Sequence, residues 1–129
     1  MIRKKPEDAE ALNYLGYMLA DRGVQLQDSL AMLEKAVSLD PENAAYLDSL
    51  GWVHHRLGQD ERAESYLVKA VRGSRNDPTI LEHLGDVYAA LGKVPEALEA
   101  YRSSLEHGAE KPEEVRKKIQ KMERGAGGP

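Results

Sequence analysis

Cysteine is absent from the chain, which excludes disulfides, a thiolate nucleophile and any cysteine-based zinc site. Phenylalanine is absent too, and aromatic residues make up only 5%, so a core must be assembled mainly from leucine, alanine, valine and tyrosine. No segment approaches the ~18 apolar residues a membrane span needs, so direct insertion into a membrane is not expected. Lysine and arginine are outnumbered by aspartate and glutamate, leaving a formal charge of −4. That balance argues against nucleic acid, because phosphate binding calls for clustered cations. The opening MIRKKPEDAE is basic with no apolar run behind it, so the stretch itself does not read as a signal peptide. The compartment stays open: cytoplasmic by default, periplasmic if the chain is cut from an exported parent.

What is present points to one small globular domain: 129 residues, 31% charged and 41% hydrophobic. A chain of this size buries a modest core only if its elements pack through short connections.

Three stretches align: LNYLGYML (Leu12 to Leu19), LDSLGWVH (Leu47 to His54) and LEHLGDVY (Leu81 to Tyr88). Each reads Leu-x-x-Leu-Gly, and Gly16, Gly51 and Gly85 lie 35 and then 34 residues apart. A second helical run follows each, SLAMLEKAV, AESYLVKAV and ALEAYRSSL. Between the runs stand Gly23, Gly58 and Gly92, where a helix can stop in a left-handed conformation. Asp8, Asn43 and Asp77 precede the first helices as N-caps, and Pro78 suits the first helical position. The pattern predicts an all-α chain with helices over 8–22, 27–39, 44–57, 60–73, 78–91, 94–107 and 112–124. The last, EEVRKKIQKMER, carries one narrow apolar stripe, Val115, Ile119 and Met122, which suits a capping helix.

The packing follows from the same residues. A glycine inside a helix costs roughly 1 kcal/mol relative to alanine, so three at one register point to a steric need. Each lets a second helix approach, and Ser29, Ala63 and Ala97 are the small residues expected opposite. A second stripe, Tyr46, Val53 and Leu57 in the second repeat and Ile80, Val87 and Leu91 in the third, is expected to face the neighbouring repeat.

The period, the Leu-x-x-Leu-Gly core and the Ala-x-x-x-large second helix resemble the tetratricopeptide repeat family, over residues 6 to 108. The departures are an extra residue near Leu26, Arg75 in place of a proline, His54 in place of tyrosine and Ser104 in place of alanine. The resemblance implies a right-handed α-solenoid of three antiparallel helix pairs plus the capping helix. Its divisions are a remnant of a preceding repeat over 1–7, repeats over 8–41, 42–76 and 77–110, a capping helix over 111–124 and a disordered tail over 125–129. First helices line the concave wall in that family. Here the wall carries Glu10, Asn13, Tyr17, Ala20 and Asp21, then Ala45, Asp48, Trp52, His55 and Arg56, then Thr79, Glu82, Asp86, Ala89 and Ala90.

Five acids on this face stand against one arginine, and Tyr17 and Trp52 occupy equivalent positions one repeat apart. The expectation is a groove for a peptide or helical segment, with an apolar or aromatic anchor against Tyr17 and Trp52. Cations would flank the anchor near Asp21, Asp48, Glu82 and Asp86, with Asn13, His55 and Arg56 completing the set. The plainer alternative is a solvated acidic face with Trp52 packed against its neighbours. The family's clamp for chaperone C-terminal carboxylates is not matched: Asn13, Tyr17, Ser49, Thr79 and His83 stand at its positions, without its cations.

Adjacent His54 and His55 point to different faces, so His54 is expected in the core with a hydrogen-bond partner, and no metal site is expected. No nucleophile motif surrounds Ser49, Ser65 or Ser74, so neither catalysis nor a cofactor is expected. The rival to a binding module is a structural array segment that stacks or self-associates through its N-terminal repeat face. More narrowly, LGYMLADRG followed by AAYLDSLGWV is similar to C-terminal repeats of long bacterial proteins of this family. Some of these are lipoprotein adaptors that present substrates to envelope proteases.

Overall fold

A computed structural model describes residues 8–127 of the chain; the reading of residues 1–7 as a remnant of an earlier repeat lies outside them. Among the described residues there are seven helices and no strand: α1 (Ala9–Arg22), α2 (Leu26–Leu39), α3 (Ala44–Arg56), α4 (Asp60–Gly73), α5 (Pro78–Ala90), α6 (Val94–Glu106) and α7 (Pro112–Gly127). α7 runs past the expected end at 124, so Gly125–Gly127 belong to a helix rather than a tail. The residues beyond them lie outside the described range.

The first helices begin where oxygen-bearing side chains meet orphan N–H groups. The Asp8 carboxylate accepts from Ala11 N at 3.2 Å, the Asn43 side chain from Tyr46 N at 3.1 Å, and Asp77 from Thr79 N at 2.9 Å and Ile80 N at 3.2 Å. α3 stops at a left-handed glycine, Gly58 (φ 80°), and Gln59 N then donates back to His54 O at 2.8 Å. The extra residue of the first turn is taken up by Gln25, the one non-glycine residue with positive φ (48°) among those described.

The chain divides into two compact units, one ending at Gly73 and the other beginning at Ser74. In the first, α1 pairs with α2 and α3 with α4, and α3 also packs on α1 and α2. Its core joins Ala20, Leu33, Leu50, Trp52 and Val53, with Tyr17, Leu30, Val37 and Leu57 against it. The α3 stripe of Val53 and Leu57 thus meets the preceding helix pair, as its spacing predicts. In the second unit α5 pairs with α6, and α7 runs along α6.

The glycine notches lie at helix contacts, but the group that fills them differs from expectation. A Cβ on Gly16 would stand 2.7 Å from Leu33 Cγ, on Gly51 2.8 Å from Leu67 Cγ, and on Gly85 2.6 Å from Tyr101 Cδ1. The large residue of the second helix is the knob, and the glycine is its hole. The small residues sit one turn earlier: Ala63 O would be 3.2 Å from a Gly51 Cβ, and Ser29 Oγ donates to Gly16 O at 2.6 Å.

Candidate interaction faces

In the first unit the face expected to receive a partner is partly closed. Trp52 is only 8% exposed, since its indole belongs to the hydrophobic cluster that Tyr17 covers from α1. Asp48 is 7% exposed and Ala20 is fully buried. Trp52 and Asp48, one helical turn apart on α3, therefore form the floor of this face rather than open contacts. The rim is formed by half-buried Asn13 and Tyr17 and exposed Asp21 on α1, and by His55 and Arg56 on α3.

His55 and Arg56 on this rim each have a local cause. The His55 ring lies 4.9 Å from the Trp52 indole, tilted by 36°, and its Nδ1 is 2.5 Å from Asp60 Oδ1 at the start of α4. Asp60 thus orients His55, a role that only the folded turn discloses. Arg56 Nη2 lies over the backbone of Gly23, 2.6 Å from where a Cβ would stand. A cation is favourable there, at the negative end of α1. His54 behaves as a core residue: it is 2% exposed, its Nδ1 is 2.8 Å from Gln59 Oε1, and it stacks on Tyr66 at 5.4 Å.

In the second unit the acids are engaged. Lys118 Nζ of α7 stands 2.7 Å from Glu82 Oε2 and 3.0 Å from Asp86 Oδ1. Tyr101, the knob over Gly85, donates its hydroxyl to Asp86 Oδ1 at 2.7 Å. The expected open pair of carboxylates is therefore corrected to a pair that already holds an ammonium. Burial, reinforced by the Asp86 charge, pushes the Tyr101 phenol far above its ordinary value. Burial works against the charge on Lys118, but its hydrogen bonds to Glu82 and Asp86 and their charges outweigh it, raising its pKa. The sequence pattern does not assign Lys118 or Tyr101 to this site, although Tyr101 stands at a position that matches the repeat family. The available signal was a lysine placed directly before Ile119 in the apolar stripe.

The described residues contain no group of three or more histidine or acidic side chains placed to hold a metal ion. Nor do they include a helix long and apolar enough to cross a membrane.

The family model described as tetratricopeptide repeat matches residues 25–79 and 61–114, most of the chain. The chain belongs to the tetratricopeptide repeat family. Among curated proteins it is 40% identical over 86 residues to the TPR repeat-containing protein PA4667 of Pseudomonas aeruginosa, a match covering 67% of this chain and 14% of that protein. It is 31% identical over 91 residues to the antiviral innate immune response effector IFIT1 of Macaca fascicularis, covering 70% of this chain and 19% of that one. The chain thus spans under a fifth of either relative. Among solved structures it is similar to the first TPR of Spaghetti (RPAP3) bound to the HSP90 peptide SRMEEVD. The TM-score is 0.84 at 22% identity, over 99% of this chain and 100% of that one. PcrH in complex with the chaperone binding region of PopD gives a TM-score of 0.80 at 21% identity, over 98% and 99% of the two chains. These likenesses establish the tetratricopeptide repeat fold. The family is one of protein-interaction scaffolds, and this chain is a protein-interaction module of that kind.

Proposed function

We propose that the module binds a peptide or helical segment of a partner protein that carries a cation beside an apolar anchor. In the first unit the contacts are Tyr17, Asp21, His55, Arg56 and Asn13, over a floor of Trp52 and Asp48. In the second they are Glu82 and Asp86. The observation that carries the reading is the Lys118 ammonium held between Glu82 and Asp86, because it exemplifies the chemistry the acids of the second unit accept. Structural neighbours support a peptide-binding module in general: one is bound to an HSP90 peptide and another is in complex with the chaperone binding region of PopD. The HSP90 peptide itself is not carried over, since Asn13, Tyr17, Ser49, Thr79 and His83 supply no lysine or arginine for its carboxylates.

The test is a titration with lysine-rich and glutamate-rich peptides of equal length, each bearing a leucine anchor and no tryptophan. Binding is followed by Trp52 fluorescence and by calorimetry. Lysine-rich peptides are expected to bind and Asp21→Lys to weaken them. If neither peptide class binds, or both bind alike, the reading fails.

A second reading is favoured by α1. Leu15 is 42% exposed and Tyr14 69%, whereas Leu50, at the same repeat position as Leu15, is 2% exposed where a helix pair precedes it. In this reading the chain is a structural segment of a longer array, stacking or self-associating through α1. The bacterial relative, far longer than the matched stretch, supports such a parent, and an envelope protease adaptor is one form it would take. Light scattering separates the two readings: a dimer abolished by Leu15→Ser favours the structural segment, and a monomer that binds peptide favours the binding module.

A further inference from the structure

The ammonium on the α5 acids belongs to a helix that docks through one narrow apolar stripe. Of the α7 stripe only Val115 is fully buried; Ile119 and Met122 are half-buried. α7 runs close along α6 but not along α5, which it reaches through side chains. Its tie to α6 through Arg102 and Glu123 is an exposed ion pair and contributes little. A single, highly charged 16-residue helix has little stability of its own in water, so docking is what orders it. The receptor for Lys118, by contrast, is well built. Two carboxylates converge on Nζ, the Tyr101 ring centroid lies 5.8 Å from it, and the Tyr101 hydroxyl fixes Asp86.

We propose that α7 is a displaceable occupant of this receptor and that the partner is an amphipathic helix that takes its place. The proposal rests on the reading of the chain as a module for cationic segments, and it specifies the segment. The guest carries a lysine or arginine with apolar residues three before, one after and four after it, as Val115, Ile119 and Met122 stand around Lys118. In the free chain α7 neutralises the acids and turns away guests that bring a charge without the stripe, or the stripe without a charge. The guest's apparent affinity is reduced by the fraction of time α7 stays docked.

The experiment uses the full chain and a labelled peptide of sequence PEEVRKKIQKMER, which is Pro112 to Arg124 supplied in trans. The Lys118→Ala chain is expected to bind this peptide about tenfold more tightly than the unaltered chain, because the docked competitor is weakened. The Glu82→Gln/Asp86→Asn chain is expected to lose binding. Hydrogen exchange over residues 112–127 should rise in both variants, and also in the unaltered chain when peptide is added. A merely structural salt bridge would move the two variants in the same direction. Unchanged or weaker binding by Lys118→Ala, or peptide binding that leaves α7 exchange unaltered, overturns the proposal. Circular dichroism should show that both variants lose no more helix than α7 accounts for, so that α1 to α6 stay folded. If this peptide binds every form equally, the displacement inference falls while the broader reading stands. If the lysine-rich anchored peptides also fail on every form, both fall.

Discussion

Lys118 and Glu82, 36 residues apart in the chain, are joined by a 2.7 Å hydrogen bond from Nζ to Oε2. With Asp86 and Tyr101 they form a site where a lysine is held by two acids. The arrangement makes the second unit sensitive to alkali. Both Lys118 and Tyr101 have folded pKa values above their ordinary 10.5 and 10.0. Each binds its proton more tightly folded than unfolded, so its contribution is complete below the ordinary value and declines as pH rises through the folded one. Thermal melting should therefore weaken progressively above about pH 10, and Tyr101→Phe should flatten that decline. A melting temperature insensitive to alkali would contradict the geometry.

Tyr101→Phe should also cost stability at neutral pH. It removes a buried hydroxyl that donates to a carboxylate, for a loss of about 1.5–3 kcal/mol. Urea denaturation read by circular dichroism measures it.

Gly51→Ala tests the notch. Alanine is the better helix former by about 1 kcal/mol, yet the added Cβ would stand 2.8 Å from Leu67 Cγ and 3.2 Å from Ala63 O. Overpacking should win, with a net loss of about 1–3 kcal/mol. A stabilised Gly51→Ala chain would show that the α3–α4 contact is loose.

Gln25→Gly should act the other way. Gln25 holds φ at 48°, where a side chain is strained. Relief of about 1–2 kcal/mol is offset in part by the greater freedom of an unfolded glycine, about 0.4–1 kcal/mol. A small rise in the urea midpoint is the expected result.

Leu15→Ala and Leu50→Ala form a matched pair. Leu50 is 2% exposed, so its truncation should cost about 2–5 kcal/mol. Leu15 is 42% exposed, and its truncation should fall near the surface norm of about 0.5 kcal/mol. Equal losses would mean that α1 is covered in solution.

Much of the fold was legible before any coordinates, for a local reason. The Asp8, Asn43 and Asp77 caps, the stopping glycines and the Leu-x-x-Leu-Gly stripes act within a few residues, through backbone sterics and orphan N–H groups. Their repetition settled seven helices to within a few residues at nearly every end. The notches were legible as well, though not their occupants. Which side chain of α2, α4 or α6 enters each hole depends on how far the paired helices are shifted along each other, and a period does not state that.

The interaction faces divide in the same way. By itself the sequence determined which residues share one stripe of each first helix, because helical periodicity groups them. Only the tertiary structure decided which of them remain open. Trp52 became the floor because Tyr17 closes over the cluster that holds it, and Glu82 and Asp86 became a lysine receptor because α7 docks on α6 within reach of α5. The physical reason is distance along the chain: burial and charge pairing come from elements tens of residues apart, whose docking no local pattern of side chains encodes.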